Sequence, residues 1–491
     1  MDTRMPVLVG VGLTTQREPN VINAREPLAL MIDAANAAGD DGGNAGLLRD
    51  IERILVPVGR WQYRNPGRLI GDAIGASHVE SISALPGVSQ QTVMSDACNA
   101  IASGEISCAL VIGGEAGYRL QRAKAEGVRL EATQCEDLAD VVMKPHDEMQ
   151  PDYEVNSGLG YMPVGYYAII DSAFRHRHGF TTGAYRDLLA ERYSAFSKIA
   201  SQNPHAWDRE HVAAEQIRNA SRTNPMLAFP YTKLHNSQWN VDQASALLFC
   251  SADKARQMGV PRDRWVFPQV FTESNHMLNI TARGRLDRCV GAEYAGRAAF
   301  EAAAIQPAEL DFLELYSCFP VAVESFAAEI GALEHIAWSF TGAMPFAGGP
   351  LNNFVLHAVG QLVRHLRNKP HSRGMVTTVS GLLTKQGFGI WGTDPNPNGY
   401  QFVDVTDAVA AATDERVVVP NYVGAATVAG YTVLYDREGP QRSVAIVDLP
   451  DGKRSIAHTD DVGLMTTMQS EEFCGMTVQI AGGRFSVDKH R

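Results

Sequence analysis

The sequence predicts an α/β body built from two similar halves and followed by a small all-β domain, and three observations predict it. A helix, a glycine, an apolar strand and a doubled glycine follow one another from Val88 to Gly114. A comparable order returns about 265 residues later, between Pro350 and Gly381, which marks an internal repeat. Beyond Gly392 the chain changes to short alternating runs separated by turn residues. Near-continuous apolar strands between helices mean a sheet covered on both faces, whereas short alternating runs mean a barrel or sandwich.

Taken in order, residues 6–12 read as a buried strand and 27–38 as a helix with apolar positions at helical spacing. The helix from Val88 carries Val93, Ala97, Ala100 and Ile101 on one face and stops at Gly104, which suits a left-handed cap. The strand Cys108 to Ile112 follows and is expected to end in a turn at Gly113 and Gly114. Residues 145–230, rich in aromatic and charged side chains, break the rhythm and read as an inserted, mostly helical region covering a substrate. Strands are expected at 243–251, 265–273, 311–316 and 374–380, with helices at 252–259, 291–305, 321–330 and 350–366. The Pro- and Asn-rich segment 393–400 reads as a linker. After it, strands are expected at 416–420, 424–435, 443–448 and 476–480. The expected division is a first half over 1–240, a second over 241–392 and a β domain over 393–491.

Composition bounds the function. The chain has 491 residues, 45% of them hydrophobic and 20% charged, so it excludes a disordered tail, a coiled coil and a disulfide scaffold. Its 43 Lys and Arg against 55 Asp and Glu give a net charge of −12, which argues against nucleic acid as a partner. The seven cysteines are odd in number and show no Cys-x-x-Cys spacing, so they read as reduced thiols in a cytoplasmic protein with no metal site. The N-terminal residues lack a signal-peptide pattern, and no apolar run is long enough to span a membrane.

The signatures of dinucleotide-binding, P-loop, zinc-protease and α/β-hydrolase sites are missing from the sequence. What remains is a set of polar or Gly-rich segments at the ends of buried strands, where open α/β sheets bind ligands. These are Gly113-Gly114-Glu115, Tyr316-Ser317-Cys318-Phe319, Gly348 to Asn353, and Ser380-Gly381. His276 follows a strand, and His146 and His235 lie in polar segments. Each also has an ordinary reading: a tight turn for Gly113-Gly114, a small buried thiol for Cys318, a helix cap for Asn352-Asn353, and a satisfied structural residue for each histidine.

Together and in this order the segments resemble the thiolase superfamily, most closely the group called thiolase-like protein type 1, which carries an additional C-terminal domain. The resemblance rests on residues 100–116, 230–247, 313–319 and 346–350, within a match running over 6–392. It implies a five-layer α/β/α/β/α body and carbon–carbon bond chemistry next to a coenzyme A thioester. Thiolases use a nucleophilic cysteine, a second cysteine as acid and base, and two oxyanion holes.

At all four chemical positions this sequence differs. The nucleophile position falls at about Gly87, and the second cysteine is replaced by Val379 ahead of Ser380 and Gly381. Leu351, Asn352 and Asn353 stand where the family has Gly-His-Pro, and Tyr316 and Ser317 stand in the remaining motif. An acyl-cysteine mechanism is therefore not expected. Tyr316, Ser317, Asn352 and Asn353 are the expected polar catalytic groups, with His276 as base. Gly87, Ser89, Gly348, Gly349, Ser380, Gly381, His146 and His235 are the expected contacts to substrate or coenzyme A.

The resemblance implies an acyltransferase on a CoA thioester or 3-oxoacyl substrate that passes the acyl group directly to coenzyme A. A retro-aldol lyase on a β-hydroxy or β-keto acyl-CoA and a non-catalytic acyl-CoA or lipid-binding protein are the alternatives. The expected partner is therefore an acyl-CoA or 3-oxo acid. The C-terminal segments 431–437 and 451–457 resemble the hairpins of the small OB-fold partners of some thiolase-fold lyases. A homodimer is expected through the strand before Gly113 and the helix from Val88, or a monomer if the added domain covers that surface.

Overall fold

A computed structural model gives the fold, and the residues described are 2–145, 149–331 and 336–487. A first sheet runs in the order Pro6–Thr15, Asp242–Ser251, Cys108–Ala116, Arg53–Pro57, Glu80–Ala84, Val141–Met143. A second runs Phe312–Glu314, Arg373–Ser380, Lys385–Gly392, Phe267–Ser274, Gln401–Asp404. The Gln90–Ser103 and Phe354–Arg367 helices touch strands of both sheets and form the layer between them. The Pro27–Asp41 helix covers the outer face of the first sheet, and Val290–Ala303 covers that of the second. These are the five layers of a thiolase-like body.

Close packing explains several glycines. The Pro27–Asp41 helix lies so near the first strand that a Cβ on Gly12 would fall 1.8 Å from the Ala34 carbonyl oxygen. The Gly113–Gly114 doublet, expected as a turn, lies inside its strand and pairs with Ser245 and Ala244. A Cβ on Gly113 would sit 2.9 Å from Asn353 Oδ1, and one on Gly114 would sit 2.9 Å from Ala244 Cβ. These glycines serve contact with neighbours distant in sequence rather than chain reversal. Expected strand 416–420 is likewise corrected: Val418 makes an isolated bridge to Arg454 and no strand forms there.

The strand before Gly113 is interior to its sheet and offers no edge for a second copy. The edge beside Glu80–Ala84 is taken by Val141–Met143 of the same chain.

The C-terminal strands Gly424–Tyr435, Pro440–Asp448, Arg454–Thr459, Arg484–Ser486 and Thr477–Ala481 pair in a closed ring, a five-stranded barrel. The insert holds this barrel to the body. Arg175, 1% exposed on the Pro163–Arg177 helix, donates to Tyr431 Oη at 2.8 Å and to Glu472 Oε2 at 3.0 Å. Among the described residues no helix is long and apolar enough to cross a membrane.

Candidate functional site

The central Gln90–Ser103 helix starts at Ser89, whose Oγ accepts the Gln91 N–H at 3.2 Å. Such a cap stabilises the helix by about 1 kcal/mol. One residue earlier the chain turns at Val88, and at Gly87 it takes φ 99°, a left-handed conformation that glycine adopts without strain. A Cβ on Gly87, where the sequence led us to expect the nucleophile position, would lie 3.1 Å from the Pro145 ring, so the proline covers the backbone there. The Gly87 carbonyl accepts Ser380 Oγ at 3.2 Å and Lys385 Nζ at 3.4 Å. The fold thus brings Gly87, Ser89, Ser380 and Gly381 together across about 290 residues of chain. Gln90 Oε1 accepts the Val355 N–H at 2.9 Å, tying both central helix starts to each other, and the Tyr316 ring stands edge-on to Phe354 at 5.8 Å.

Beside this junction lies a cavity of about 770 Å³. Val88, Thr92, Met143, Lys144, Pro145, Asn275, His276, Met277, Lys385, Asp404 and Thr406 line it. His276 is thus at the cavity wall. Directly behind the wall is Glu273, 5% exposed, whose Oε2 accepts Thr92 Oγ1 at 2.8 Å. Burial pushes its pKa up to about 7; the Thr92 and Asn275 bonds work against that rise, and Asp404 adds to it. A carboxyl poised near neutrality, with a hydroxyl between it and a cavity, is equipped to take or return a proton.

Other expected residues are engaged elsewhere. Ser317 Oγ accepts the Met344 N–H at 3.0 Å. Asn352 Nδ2 donates to the Val58 carbonyl at 2.8 Å, and Asn353 Nδ2 donates to Ser245 Oγ at 3.2 Å. Gly348 and Gly349 are close-approach positions, where a Cβ would meet Gln243 Oε1 at 2.2 Å and Ser237 Oγ at 2.0 Å. His235 lies away from the cavity, 2% exposed, with Nδ1 bonded to Thr232 and its rings packed by Tyr193 and Tyr231. Burial first, then Arg186, lowers its pKa to about 3, which keeps it neutral. His146 lies outside the described residues. Burial drives the Tyr316 phenol well above its ordinary pKa, so it holds its proton.

None of the seven cysteines is among the residues that line this cavity. Cys98 is wholly buried, and burial, with Asp96 adding to it, keeps its thiol protonated. Burial pushes Cys289 and Cys318 up to about 12. Sequence reasoning missed Glu273, Thr92 and Lys385. The available signal was a charged residue closing an apolar run immediately before Ser274, Asn275 and His276.

Comparison with known proteins agrees with this architecture. Residues 404–482 match the thiolase-like protein type 1 additional C-terminal domain. An acetyl-CoA acetyltransferase of Methanothermobacter thermautotrophicus is 28% identical over 191 residues, 39% of this chain and 47% of that protein. The chain thus spans about half the length of the curated relative it matches. The crystal structure of a monomeric SCP2-thiolase-like protein type 1 from Mycobacterium smegmatis superposes with a TM-score of 0.82, covering 99% of both chains at 24% identity. An Ltp2–ChsH2 aldolase shares the fold at TM-score 0.61 and 16% identity, over 79% of this chain and 97% of its own. The chain thus has the fold of the thiolases, and its residues 404–482 match the additional C-terminal domain of the thiolase-like protein type 1 group.

Proposed function

We propose that the protein makes or breaks the carbon–carbon bond next to a CoA thioester by proton transfer, passing the acyl group to coenzyme A without an acyl-cysteine. The carrying observation is the Thr92–Glu273 pair at the wall of the 770 Å³ cavity, beside a nucleophile position that holds only Gly87. In the cleavage direction the ionised Glu273 carboxylate, reached through Thr92 Oγ1, takes the proton of the attacking CoA thiol. The sulfur bonds to the 3-oxo carbon, the bond between C2 and C3 breaks, and the proton returns to C2. His276, at the same wall, donates to the enolate oxygen that develops on the thioester. Lys144 and Lys385 line the same cavity and favour an anionic ligand such as an acyl-CoA.

A retro-aldol reading is favoured by one feature, the single acid–base group behind the cavity. Removing the proton of a β-hydroxyl needs one base and no second thiol. Product analysis separates the two: a 3-oxoacyl-CoA with added coenzyme A gives two acyl-CoA products, whereas a β-hydroxyacyl-CoA gives an aldehyde or ketone. Treating the protein with a thiol-alkylating reagent before assay leaves the rate unchanged under either reading, and strong inhibition contradicts both.

A further inference from the structure

Glu115, the last residue of the Gly113-Gly114-Glu115 segment, has no part in the site above, yet it lines a second cavity of about 200 Å³ that shares no lining residue with the first. This cavity opens at the carboxyl ends of the Arg53–Pro57 and Cys108–Ala116 strands, the position at which parallel strands present ligand sites. Its volume suits one ring system rather than a whole cofactor.

Three features define what fits. The first is an aromatic wall: Trp61 stacks on Tyr63 at 5.0 Å between centroids, and its Nε1 donates to the Gly114 carbonyl at 2.9 Å. The indole is thereby fixed in orientation. Gly59 permits this arrangement, since a Cβ there would fall 2.3 Å from Trp61 Nε1 and 2.4 Å from Glu115 Oε1. The second is an acceptor. Glu115 is 3% exposed, and among the described residues its one hydrogen bond is from the Arg60 N–H to Oε1 at 2.8 Å. Burial raises its pKa to about 7, against the opposing effect of that bond, so the carboxyl gains from a ligand that donates to it. The third is a donor: the Arg119 Nε–H is buried and has no acceptor among the described residues.

A planar wall with one acceptor and one donor at its foot complements the edge of an aminated nitrogen ring, where an amino group donates and the neighbouring ring nitrogen accepts. A bare anion is disfavoured, because Glu26 and Glu131 also line the cavity. We infer that this second cavity binds an amino-substituted nitrogen heterocycle of the adenine type, stacked on Trp61, donating to Glu115 and accepting from Arg119. Such a ring could arrive as the adenine of coenzyme A or as a free nucleoside.

Calorimetric titration of the full chain with adenosine tests this, because its readout is binding and is blind to thioester chemistry. Adenosine is expected to bind one to one, and purine riboside, which lacks the amino group, about tenfold or more weakly. Glu115→Gln is expected to weaken adenosine similarly and to leave purine riboside unchanged, with Trp61→Leu weakening both. Equal affinity for adenosine and purine riboside, or no saturable binding of either, overturns the inference. Displacement of adenosine by coenzyme A but not by pantetheine assigns the site to the coenzyme's own adenine. Simultaneous binding of adenosine and coenzyme A assigns it to a free nucleoside.

Discussion

Two strand ends in the second sheet carry buried glutamates raised by burial to about 7, and their surroundings give them opposite tasks. Glu314, fully buried at the end of Phe312–Glu314, accepts Ser339 Oγ, the Phe340 N–H, the Thr341 N–H and Thr341 Oγ1, all at 2.8–2.9 Å. Its carboxyl is saturated with donors from one loop, so it staples that loop to the sheet. Glu273, near the end of Phe267–Ser274, accepts Thr92 Oγ1 from the central helix and lies behind the cavity wall. A raised pKa alone does not mark a reactive group; beside an accessible volume it marks a candidate for proton transfer or ligand binding.

The comparison can be broken most sharply by substitution. Glu273→Gln keeps the size of the side chain and removes the base, so turnover of a 3-oxoacyl-CoA should fall by about 100-fold or more while the melting temperature moves little. Equal turnover in the variant removes Glu273 from the chemistry. Glu314→Ala leaves four buried donors without an acceptor and should cost about 3 kcal/mol or more of stability in denaturant unfolding. A loss below about 1 kcal/mol would show that water replaces the carboxyl easily.

Dependence on pH sharpens the same contrast. A base must be ionised, so turnover should rise with pH through about 7 in the native protein. Stability has the opposite sign: the folded carboxyl holds its proton more tightly than the unfolded one, whose pKa is near the ordinary 4.5. The stability it contributes is complete below 4.5 and is lost as pH rises through about 7. Glu273→Gln should therefore flatten the fall in stability across that window, and an unaltered slope contradicts the raised pKa. The smallest effect is expected at Tyr316→Phe. The buried phenol keeps its proton throughout this range, so turnover should stay within about twofold of native, and a tenfold loss (about 1.4 kcal/mol of barrier) would restore Tyr316 to the mechanism.

The strand and helix order was legible because apolar runs and caps are local: Gly104 ends the central helix in the left-handed cap that its residue type predicts. The convergence of Gly87 with Ser380 was legible only through the family resemblance, since nothing local connects them. The Gly113-Gly114 doublet misled because its neighbours are remote. Gly113 yields to Asn353 and Gly114 to Ala244, and such close approaches look like a turn in one dimension. The Lys385–Gly392 strand was unread because its polar start and interleaved glycines hide a segment that is buried throughout. Glu273 was passed over since its pKa follows from burial between helix and sheet, a quantity that no sequence window contains.

Intact-protein mass spectrometry on samples quenched during turnover of an acyl-CoA tests the central claim most directly. Bond chemistry carried by Glu273 predicts product in solution and a protein mass unchanged at every time point. A protein population heavier by one acyl group, mapped to any cysteine, would contradict the account.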